Sequence, residues 1–270
     1  MTTMRTSDDT LNAAGIGDER PTASSKAPTR PRSRVNRVAL GLTAGAKPVR
    51  RIKAKTKRIS RPGQFATSNT FVREPIRTES VLEMDGLAHV ETNPRYIRVA
   101  PQPHRLTFHV DGPDGSTRVD TYVPDLAVLT VEGNVVVVDF KWSWLRSLPE
   151  WAEVEPVIRE AYRVDHGAHF VVLTEEHIHV EPRRTNVAIM LLHRAPAENA
   201  PAVTAVRGAI GRVGLPSTIG AIRAASGLST DGVRDPAFSA LMELAMDGEI
   251  SLDMSHLFDD RTIVRDGPVV

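Results

Sequence analysis

The middle of the chain alternates hydrophobic and polar residues with the period of two that is typical of β-strands. The turn-forming run Asp-Gly-Pro-Asp-Gly-Ser at residues 111–116 separates two such segments and predicts a hairpin between them. A second turn signal, Glu-Gly-Asn at residues 132–134, precedes four consecutive valines. The pattern predicts a meander in which residues 125–131 either continue the strand before them or open a further one. The predicted strands are residues 96–99, 105–110, 117–123, 125–131 and 135–141.

Segments with helical spacing of apolar residues lie on both sides of this meander. Residues 80–91 show that spacing, and an Asn-Pro pair ends the helix. Residues 149–164 repeat the pattern, with Pro156 starting, kinking or dividing the helix. Two further segments, 169–173 and 186–192, are dense in β-branched or apolar residues and predict two more strands. The predicted order is α-β-β-β-α-β-β, an α/β fold.

A separate C-terminal domain is predicted over residues 196–270, after a linker rich in Ala and Pro. An Asp-Pro pair at residues 235–236 provides a cap and a first turn for the third of its helices. Three helices followed by two short strands indicate a winged-helix domain. These elements are predicted at residues 202–213, 217–225, 235–246, 249–254 and 261–264.

Charge divides the 270-residue chain into two parts of opposite sign, although its net charge is only +1. Residues 1–65 hold 15 Lys and Arg against 4 Asp and Glu, and they contain few bulky apolar residues. Burial in such a segment does not offset the entropy of ordering it, so we expect a disordered basic arm. A block of like charge attracts a polyanion, and we expect DNA contacts from Arg50, Arg51, Lys53, Lys55, Lys57, Arg58 and Arg61.

The composition excludes several kinds of chemistry. The chain has no Cys, which removes disulfides, thiolate zinc sites, iron–sulfur clusters and a cysteine nucleophile. It has neither a secretory signal nor an apolar run of the roughly 18 to 20 residues that cross a membrane. We therefore expect a soluble cytoplasmic protein without membrane partners, associated with the nucleoid when it binds DNA. Any metal ion must be bound by oxygen ligands or His.

Four residues between the first helix and the end of the valine strand form the candidate catalytic set. Glu83 lies on that helix, and Asp125 follows a proline at a strand boundary. Asp139 and Lys141 stand two positions apart, so their side chains leave the same face of the strand. Asp125 joins them if the turn at residues 132–134 closes a hairpin. Phosphodiester hydrolysis needs such a set, in which carboxylates hold one or two Mg²⁺ ions and a lysine stabilises the nucleophile or the developing charge.

Each of these residues also has a structural explanation when taken alone, since Asp beside Pro forms turns, a single helix Glu is usually solvated and Lys can end a strand.

Other candidates are weaker. His177 and His179 place two imidazoles on one face of a strand but lack a third ligand. The tryptophans around the strand-to-helix junction either stack on bases or, more often, anchor a core or an interface. They are Trp142, Trp144 and Trp151.

Four short motifs occur in order along residues 70–195: TESVLE at 78–83, QP at 102–103, YVPD at 122–125 and VVDFK at 137–141. Their order resembles that of the TnsA-type transposon endonuclease subunit, a family of PD-(D/E)XK nucleases. The resemblance implies a restriction-endonuclease-like αβββαβ core at residues 66–195. It also implies that residues 196–270 correspond to the C-terminal domain of that family, and that Gln102 has a supporting role.

The resemblance further implies that the protein cleaves the 5′ ends of a transposable element in duplex DNA. A DDE-type transposase subunit would cut and join the 3′ ends, and an ATPase regulator is a further expected partner. By position, Glu83, Asp125 and Asp139 are the ligands of Mg²⁺, for which Mn²⁺ substitutes, and Lys141 is the catalytic lysine. Glu79, in the same helical turn, competes with Glu83 for the role of helix ligand.

The C-terminal domain carries 6 Lys and Arg against 10 Asp and Glu, so we expect it to dock to a protein rather than to phosphates. Two other functions stay open. The chain is alternatively a non-catalytic DNA-associated adaptor of a transposition complex, or a nuclease that acts alone in restriction or repair.

Overall fold

The computed structural model describes residues 35–50, 52, 62–67, 69–70, 74–112, 114–194, 199–230 and 235–267. Contacts divide the chain into two compact units. We call the described residues within Asp9–Leu87 and Tyr96–Ile178 the sheet unit. The described residues within Ala88–Arg95 and His179–Val270 are called the helical unit. The protein is a mixed α/β protein, as its sequence predicts.

The elements of the sheet unit are numbered along the chain. Its strands are β1 (Gly63–Phe65), β2 (Ile76–Thr78), β3 (Tyr96–Pro101), β4 (Leu106–Asp111), β5 (Thr117–Tyr122), β6 (Leu126–Thr130), β7 (Val135–Phe140) and β8 (His169–Leu173). Its helices are α1 (Val81–Glu91, of which residues 88–91 fall in the helical unit), α2 (Ser143–Arg146), α3 (Pro149–Ala161), a turn of π-helix (Tyr162–His166) and α4 (Glu175–Ile178).

A four-stranded sheet in the order β3, β6, β7, β8 forms the centre of the sheet unit. β6 pairs antiparallel with both β3 and β7, whereas β8 runs parallel to β7 after the crossover through α3. Every residue of β6 and β7 is buried, which agrees with their continuous apolar runs. β4 and β5 form the predicted hairpin as a separate pair, and residues 125–131 therefore open a new strand.

The two faces of the central sheet pack against different elements. On one face, β4, α3 and the π-helical turn share a hydrophobic cluster with the sheet. The opposite face packs against α1, where a methyl group on Gly86 would lie 2.1 Å from Cε1 of Phe140. Only glycine permits this close approach of α1 to β7. The sheet contributes to the first cluster through alternate residues of its two central strands, namely Ala127, Leu129, Val135 and Val137.

Part of the predicted disordered arm is folded. Leu40 and Leu42 are buried in the hydrophobic cluster of the sheet unit, and residues 63–65 form β1. The expectation of disorder over residues 1–65 is therefore wrong for residues 35–50, 52 and 62–65. Its reason, scarcity of apolar residues, fails there because two leucines suffice to anchor a short segment on an existing core. The rest of the arm lies outside the described residues.

The helical unit contains the described helices α5 (Arg183–Leu192), α6 (Ala200–Val213), α7 (Ile219–Ser226) and α8 (Pro236–Met246). Its antiparallel sheet has the order β10 (Ile250–Leu252), β11 (Ile263–Asp266) and β9 (Ser217–Thr218). Asp235 caps α8 as predicted, with Oδ1 accepting a hydrogen bond from the Phe238 N–H at 2.9 Å. Thr218 caps α7, which begins at Ile219 rather than at the predicted residue 217. No described helix is both long and apolar enough to span a bilayer.

The predicted strand at residues 186–192 is wrong, because this segment belongs to α5. The buried residues of α5 are Arg183, Asn186, Val187 and Met190, which follow the spacing of one helical face. Two of these four are polar, so the hydrophobic pattern alone conceals the helical period. Met190 joins the core of the helical unit, and residues 179–194 accordingly group with the C-terminal domain rather than with the predicted nuclease domain.

Candidate active site

Asp125 and Asp139 lie opposite each other where β6 begins and β7 ends. Leu126 pairs with Val138, and continuing this antiparallel register by one residue brings Asp125 opposite Asp139. Opposed residues of an antiparallel pair project to the same face of the sheet. The Phe140 N–H donates a hydrogen bond of 2.9 Å to Oδ2 of Asp125, which fixes that carboxylate beside the end of β7.

Lys141 joins the two carboxylates from the residue that follows β7. Its N–H donates to the carbonyl of Leu173 at 3.0 Å and so continues the pairing with β8. Its Nζ lies 3.2 Å from Oδ2 of Asp139 and 4.1 Å from the ring centroid of Trp151. The structure thus brings Asp125, Asp139 and Lys141 to one end of the sheet and to one face of it.

Glu83 reaches the same region from the first turn of α1. The Ser80 hydroxyl accepts a hydrogen bond from the Glu83 N–H at 3.1 Å and donates one to Oε1 of Glu83 at 3.0 Å. The Glu79 N–H donates to Oε2 at 2.9 Å, which completes a capping-box arrangement. Burial raises the pKa of Glu83, hydrogen bonds from Glu79 and Ser80 oppose that rise, and the charges of Glu79 and Asp139 add to it. Glu83 therefore caps the helix and also interacts electrostatically with Asp139.

The three carboxylates are buried together, with exposed fractions of 7% for Glu83, 8% for Asp125 and 5% for Asp139. Burial raises the pKa of Asp125 well above its ordinary value, and the charges of Asp139 and Glu83 raise it further. A buried anion needs a compensating cation or a proton. Lys141 supplies one positive charge to this group, so the site has excess negative charge when all three are ionised.

The residues fit a hard divalent cation by chemistry. Among the described residues, no three His, Asp or Glu side chains already stand in an arrangement that holds a metal ion. Mg²⁺, however, usually takes only one or two protein carboxylates and completes its shell with water and substrate phosphate. Oδ2 of Asp139 is buried and accepts no hydrogen bond from a described residue, although Nζ of Lys141 is near. This buried carboxylate oxygen, close to Lys141 and repelled by Glu83 and Asp125, is the feature that fits a cation.

Arg50 separates the roles of Glu83, on α1, and Glu79, which precedes that helix. Its Nη1 lies 3.2 Å from Oε1 of Glu79, so Glu79 is paired with a guanidinium, whereas Glu83 is the glutamate that interacts electrostatically with Asp139. Arg50 was predicted to contact DNA, and the structure places it in this ion pair beside α1. The other predicted DNA contacts lie outside the described residues: Arg51, Lys53, Lys55, Lys57, Arg58 and Arg61.

Gln102 supports Asp125 through the main chain. It is buried, and its N–H donates a hydrogen bond of 2.8 Å to the carbonyl of Asp125. Its φ angle is +39°, a region that non-glycine residues occupy only when their surroundings enforce it. The QP motif drew attention to Gln102 in the sequence, but the contact with Asp125 joins residues 23 positions apart and no local pattern encodes it.

Tyr122, Tyr162 and His104 are neighbours of the site that the sequence did not single out as functional. The two hydroxyls and both ring nitrogens of His104 are buried without hydrogen-bond partners among the described residues. Burial, followed by the charge of Asp139, raises the pKa of each tyrosine. These groups extend the buried polar surroundings of Asp139 across β5 and the π-helical turn. No residue pattern in the sequence predicts that these three side chains lie near the site, because they come together only when α3 and the hairpin pack on the sheet.

The histidine pair considered from the sequence lies elsewhere. Residues 175–178 form α4, so the expectation that His177 and His179 share one face of a strand is wrong. Nδ1 of His177 lies 2.8 Å from the Thr174 hydroxyl and accepts the Thr174 N–H at 3.1 Å, which caps the start of that helix. Two acidic residues and a Thr at the end of a strand are helix-start signals that favour this outcome.

Comparison of the chain with models of known protein families and with curated proteins finds no match. The resemblance to the TnsA-type endonuclease therefore rests on the four sequence motifs.

Proposed function

We propose that this chain is a Mg²⁺-dependent DNA endonuclease and the subunit of a heteromeric transposase that cleaves the 5′ ends of a transposable element. The observation that carries the proposal is the convergence of Asp125, Asp139 and Lys141 at one end of β6 and β7. There Nζ of Lys141 lies 3.2 Å from Oδ2 of Asp139. Carboxylates that converge with a lysine suit hydrolysis of a phosphodiester, because the reaction needs both a metal-binding group and a cation near the phosphate.

Each residue of the site has a role in this proposal. Glu83, Asp125 and Asp139 would hold the ion, and the Phe140 N–H occupies one oxygen of Asp125, which leaves the other to face the ion. When bound, Mg²⁺ polarises the phosphate and lowers the pKa of the attacking water. Lys141 stabilises the nucleophile or the charge that develops on the phosphate. In-line attack then breaks the bond to the 3′ oxygen and leaves a 5′-phosphate and a 3′-hydroxyl.

The finer assignment of fold belongs to the same proposal. We take the sheet unit as a restriction-endonuclease-like core, because a helix carrying Glu83 precedes the sheet and a parallel strand follows a helical crossover. We take the helical unit as a winged-helix-like docking domain. Its helices α6, α7 and α8 with a small antiparallel sheet support that assignment. Its excess of acidic residues favours a protein partner, such as the DDE-type transposase subunit or an ATPase regulator.

A cleavage assay on supercoiled DNA that carries the element ends tests the proposal. With Mg²⁺ or Mn²⁺, alone and with candidate transposase and ATPase partners, the wild type should nick the DNA at the element ends. Lys141→Ala should reduce the rate at least about a hundredfold, because it removes the cation at the reacting phosphate. Arg118→Ala is a matched control, since it removes the same charge from an exposed position at the opposite end of β5 from Tyr122. Equal rates for wild type and Lys141→Ala would contradict the proposal.

A non-catalytic adaptor is the second candidate function. Two observations favour the adaptor. Both carboxylate oxygens of Glu83 already accept hydrogen bonds in the helix cap, and among the described residues no three acidic or histidine side chains are arranged to bind a metal ion. Asp125→Ala and Lys141→Ala distinguish the two functions. Transposition that is indifferent to both substitutions supports the adaptor, whereas loss of cleavage with retained binding of DNA supports the endonuclease.

A further inference from the structure

Trp144 is a large aromatic side chain on the surface beside the candidate active site. It lies on α2, three residues beyond Lys141, and is 56% exposed. Its indole makes no ring contact or hydrogen bond with other described residues. Trp151 differs, because it lies under Nζ of Lys141 and donates a hydrogen bond of 2.8 Å to Glu155. The two tryptophans therefore have separate roles, and only Trp151 is accounted for by packing.

Two carboxylates fix the short helix that carries Trp144. At its start, Glu175 accepts hydrogen bonds from the Ser143 N–H at 2.8 Å and from the Ser143 hydroxyl. At its end, Glu155 accepts both arms of the Arg146 guanidinium at 3.0 and 2.7 Å. Burial raises the pKa of Glu155, but hydrogen bonds from Arg146 and Trp151 outweigh it and bring that pKa below its usual range. Glu155 is thus ionised at neutral pH, so it keeps both hydrogen bonds from the Arg146 guanidinium.

This arrangement fixes the backbone of the helix and leaves an aromatic ring exposed on it, which does not help the isolated protein. A helix of four residues is unstable without such contacts. Apolar surface that stays in water does not gain the stabilisation of about 25 cal/mol per Å² that burial provides. An aromatic side chain with two rotatable bonds, in contrast, loses little entropy when a partner covers it. The exposed position of Trp144 on a fixed stretch of backbone therefore favours a role in binding.

We infer that Trp144 contacts the DNA substrate by stacking on a base or sugar beside the phosphate that Lys141 serves. The inference rests on the proposed endonuclease function. Three residues span at most about 10 Å of chain, and the grooves of B-DNA are about 12 and 6 Å wide. A duplex with its cleaved phosphate at Lys141 is therefore close enough to contact Trp144. Stacking on an aromatic ring tolerates any base, so Trp144 contributes affinity at the cleavage position with little sequence preference.

Binding of an element-end duplex to the full chain tests this inference, with Ca²⁺ in place of Mg²⁺ so that cleavage does not interfere. Trp144→Ala should weaken binding by about 5- to 150-fold, the range that loss of one stacked base produces. Trp144→Phe should restore most of the affinity because it keeps an aromatic face. Leu257→Ala is the matched control, since Leu257 is also 56% exposed but lies in the helical unit, and its affinity should equal that of the wild type. The thermal midpoint and Mn²⁺ binding of Trp144→Ala should be unchanged.

The outcomes separate this inference from the proposed function. If the wild type cleaves DNA and Trp144→Ala binds and cleaves equally well, the inference is overturned and the endonuclease stands. If Trp144→Ala keeps its affinity for DNA but no longer associates with the transposase, Trp144 docks a protein and the inference is again overturned. If the wild type neither binds nor cleaves DNA, both proposals are overturned together.

Discussion

At the scale of single residues, Asp125 is a carboxylate whose surroundings oppose its charge. It is buried, it receives one hydrogen bond from the Phe140 N–H, and Asp139 and Glu83 repel it. Its pKa in the folded protein therefore lies well above the ordinary value of 3.8. For such an acid, the stabilising contribution is complete below 3.8 and is lost as the pH rises through the raised pKa. Burial of Asp125 accordingly costs the metal-free protein stability as the pH rises above 3.8.

Asp125→Asn should stabilise the metal-free protein while it impairs metal binding. The amide oxygen still accepts the Phe140 N–H, and the repulsion from Asp139 and Glu83 disappears. At pH 8 in a chelator, we expect its thermal midpoint to exceed that of the wild type by about 2–4 °C, the shift that ~1 kcal/mol produces in a domain of this size. The difference should vanish below pH 4. Saturating Mg²⁺ should raise the midpoint of the wild type only. A lower midpoint for Asp125→Asn at pH 8 would contradict this account of the site.

His104 should make the protein sensitive to acid. Its ring centroid lies 4.9 Å from that of His166, and burial, followed by the charge of His166, lowers its pKa to about 4. For a histidine with a lowered pKa, the stabilising contribution is complete above 6.5 and is lost as the pH falls towards 4. We expect the thermal midpoint to fall over that range, and His104→Phe to reduce the fall. His169→Phe, at an exposed position of β8, serves as the control. Parallel curves for all three proteins would show that His104 does not contribute.

Sequence patterns were sufficient for the residues of the site that depend on local geometry. The period of a strand places Asp139 and Lys141 on one side, and a tight turn brings Asp125 opposite them. Tyr122 and His104 were missed because their proximity to the site depends on how α3 and the hairpin pack against the sheet. Contacts of that kind join distant parts of the chain and leave no local spacing.

At the scale of elements, α1 connects helix stability with the candidate metal site. Ser80 and Glu83 exchange hydrogen bonds at the start of the helix, and Glu83 also interacts electrostatically with Asp139. The cap therefore determines where the Glu83 carboxylate lies. Gly86, one turn further along α1, allows the helix to approach Phe140 of β7. The start of this helix was predictable, because Ser-x-x-Glu before apolar residues is a capping signal.

Ser80→Ala should lower both stability and activity. Loss of the cap costs about 0.5–2 kcal/mol of unfolding free energy, and loss of the hydrogen bond to Glu83 should reduce cleavage about 10- to 100-fold, as for other residues that orient a metal ligand. Urea unfolding and the cleavage rate measure the two effects. Thr218→Ala removes a comparable cap from α7, where Thr218 Oγ1 accepts the Ala221 N–H at 3.2 Å. That control should lose stability and keep full activity of the folded protein. Equal loss of activity in both variants would show that Ser80 acts through stability alone.

Two elements were wrongly predicted for the same physical reason. The segment at 186–192 reads as a strand because two residues on the buried face of α5, Arg183 and Asn186, are polar. Asn186 is satisfied there by distant main-chain partners, donating to the His256 carbonyl at 2.7 Å and accepting from the Phe258 N–H at 3.1 Å. Residues 35–50 likewise fold through burial of Leu40 and Leu42 in a core built elsewhere. Contacts with distant parts of the chain therefore determined the structure of both segments.

At the scale of the whole molecule, charge divides the chain into segments of opposite sign, for which we propose different partners. Residues 1–65 carry 15 basic and 4 acidic residues, whereas residues 196–270 carry 6 basic and 10 acidic ones. In the proposed endonuclease the acidic cluster would repel DNA, so a basic segment elsewhere in the chain would be needed for affinity. The sequence alone was sufficient for this division, because charge is counted without knowledge of the fold.

Replacing Lys53, Lys55, Lys57 and Arg58 by Gln should weaken DNA binding and reduce its dependence on salt. Each phosphate contact contributes about 0.9 to the slope of log K against log salt concentration. Loss of four contacts should therefore flatten the slope by about 3 to 4. Binding of duplex DNA across a salt series measures the change, and Mn²⁺ binding should be unaffected. An unchanged slope would show that these side chains do not contact phosphates.

Titration of the purified protein with Mn²⁺, followed by the electron paramagnetic resonance signal of the free ion, tests most directly whether Glu83, Asp125 and Asp139 form a cation site. We predict that the wild type removes Mn²⁺ from solution and that Asp125→Asn and Asp139→Asn each weaken binding at least tenfold. Asp114→Asn, in the exposed turn of the β4–β5 hairpin, should bind Mn²⁺ as the wild type does. Equal binding by the wild type and the two site variants, or no binding by any of them, would contradict the account.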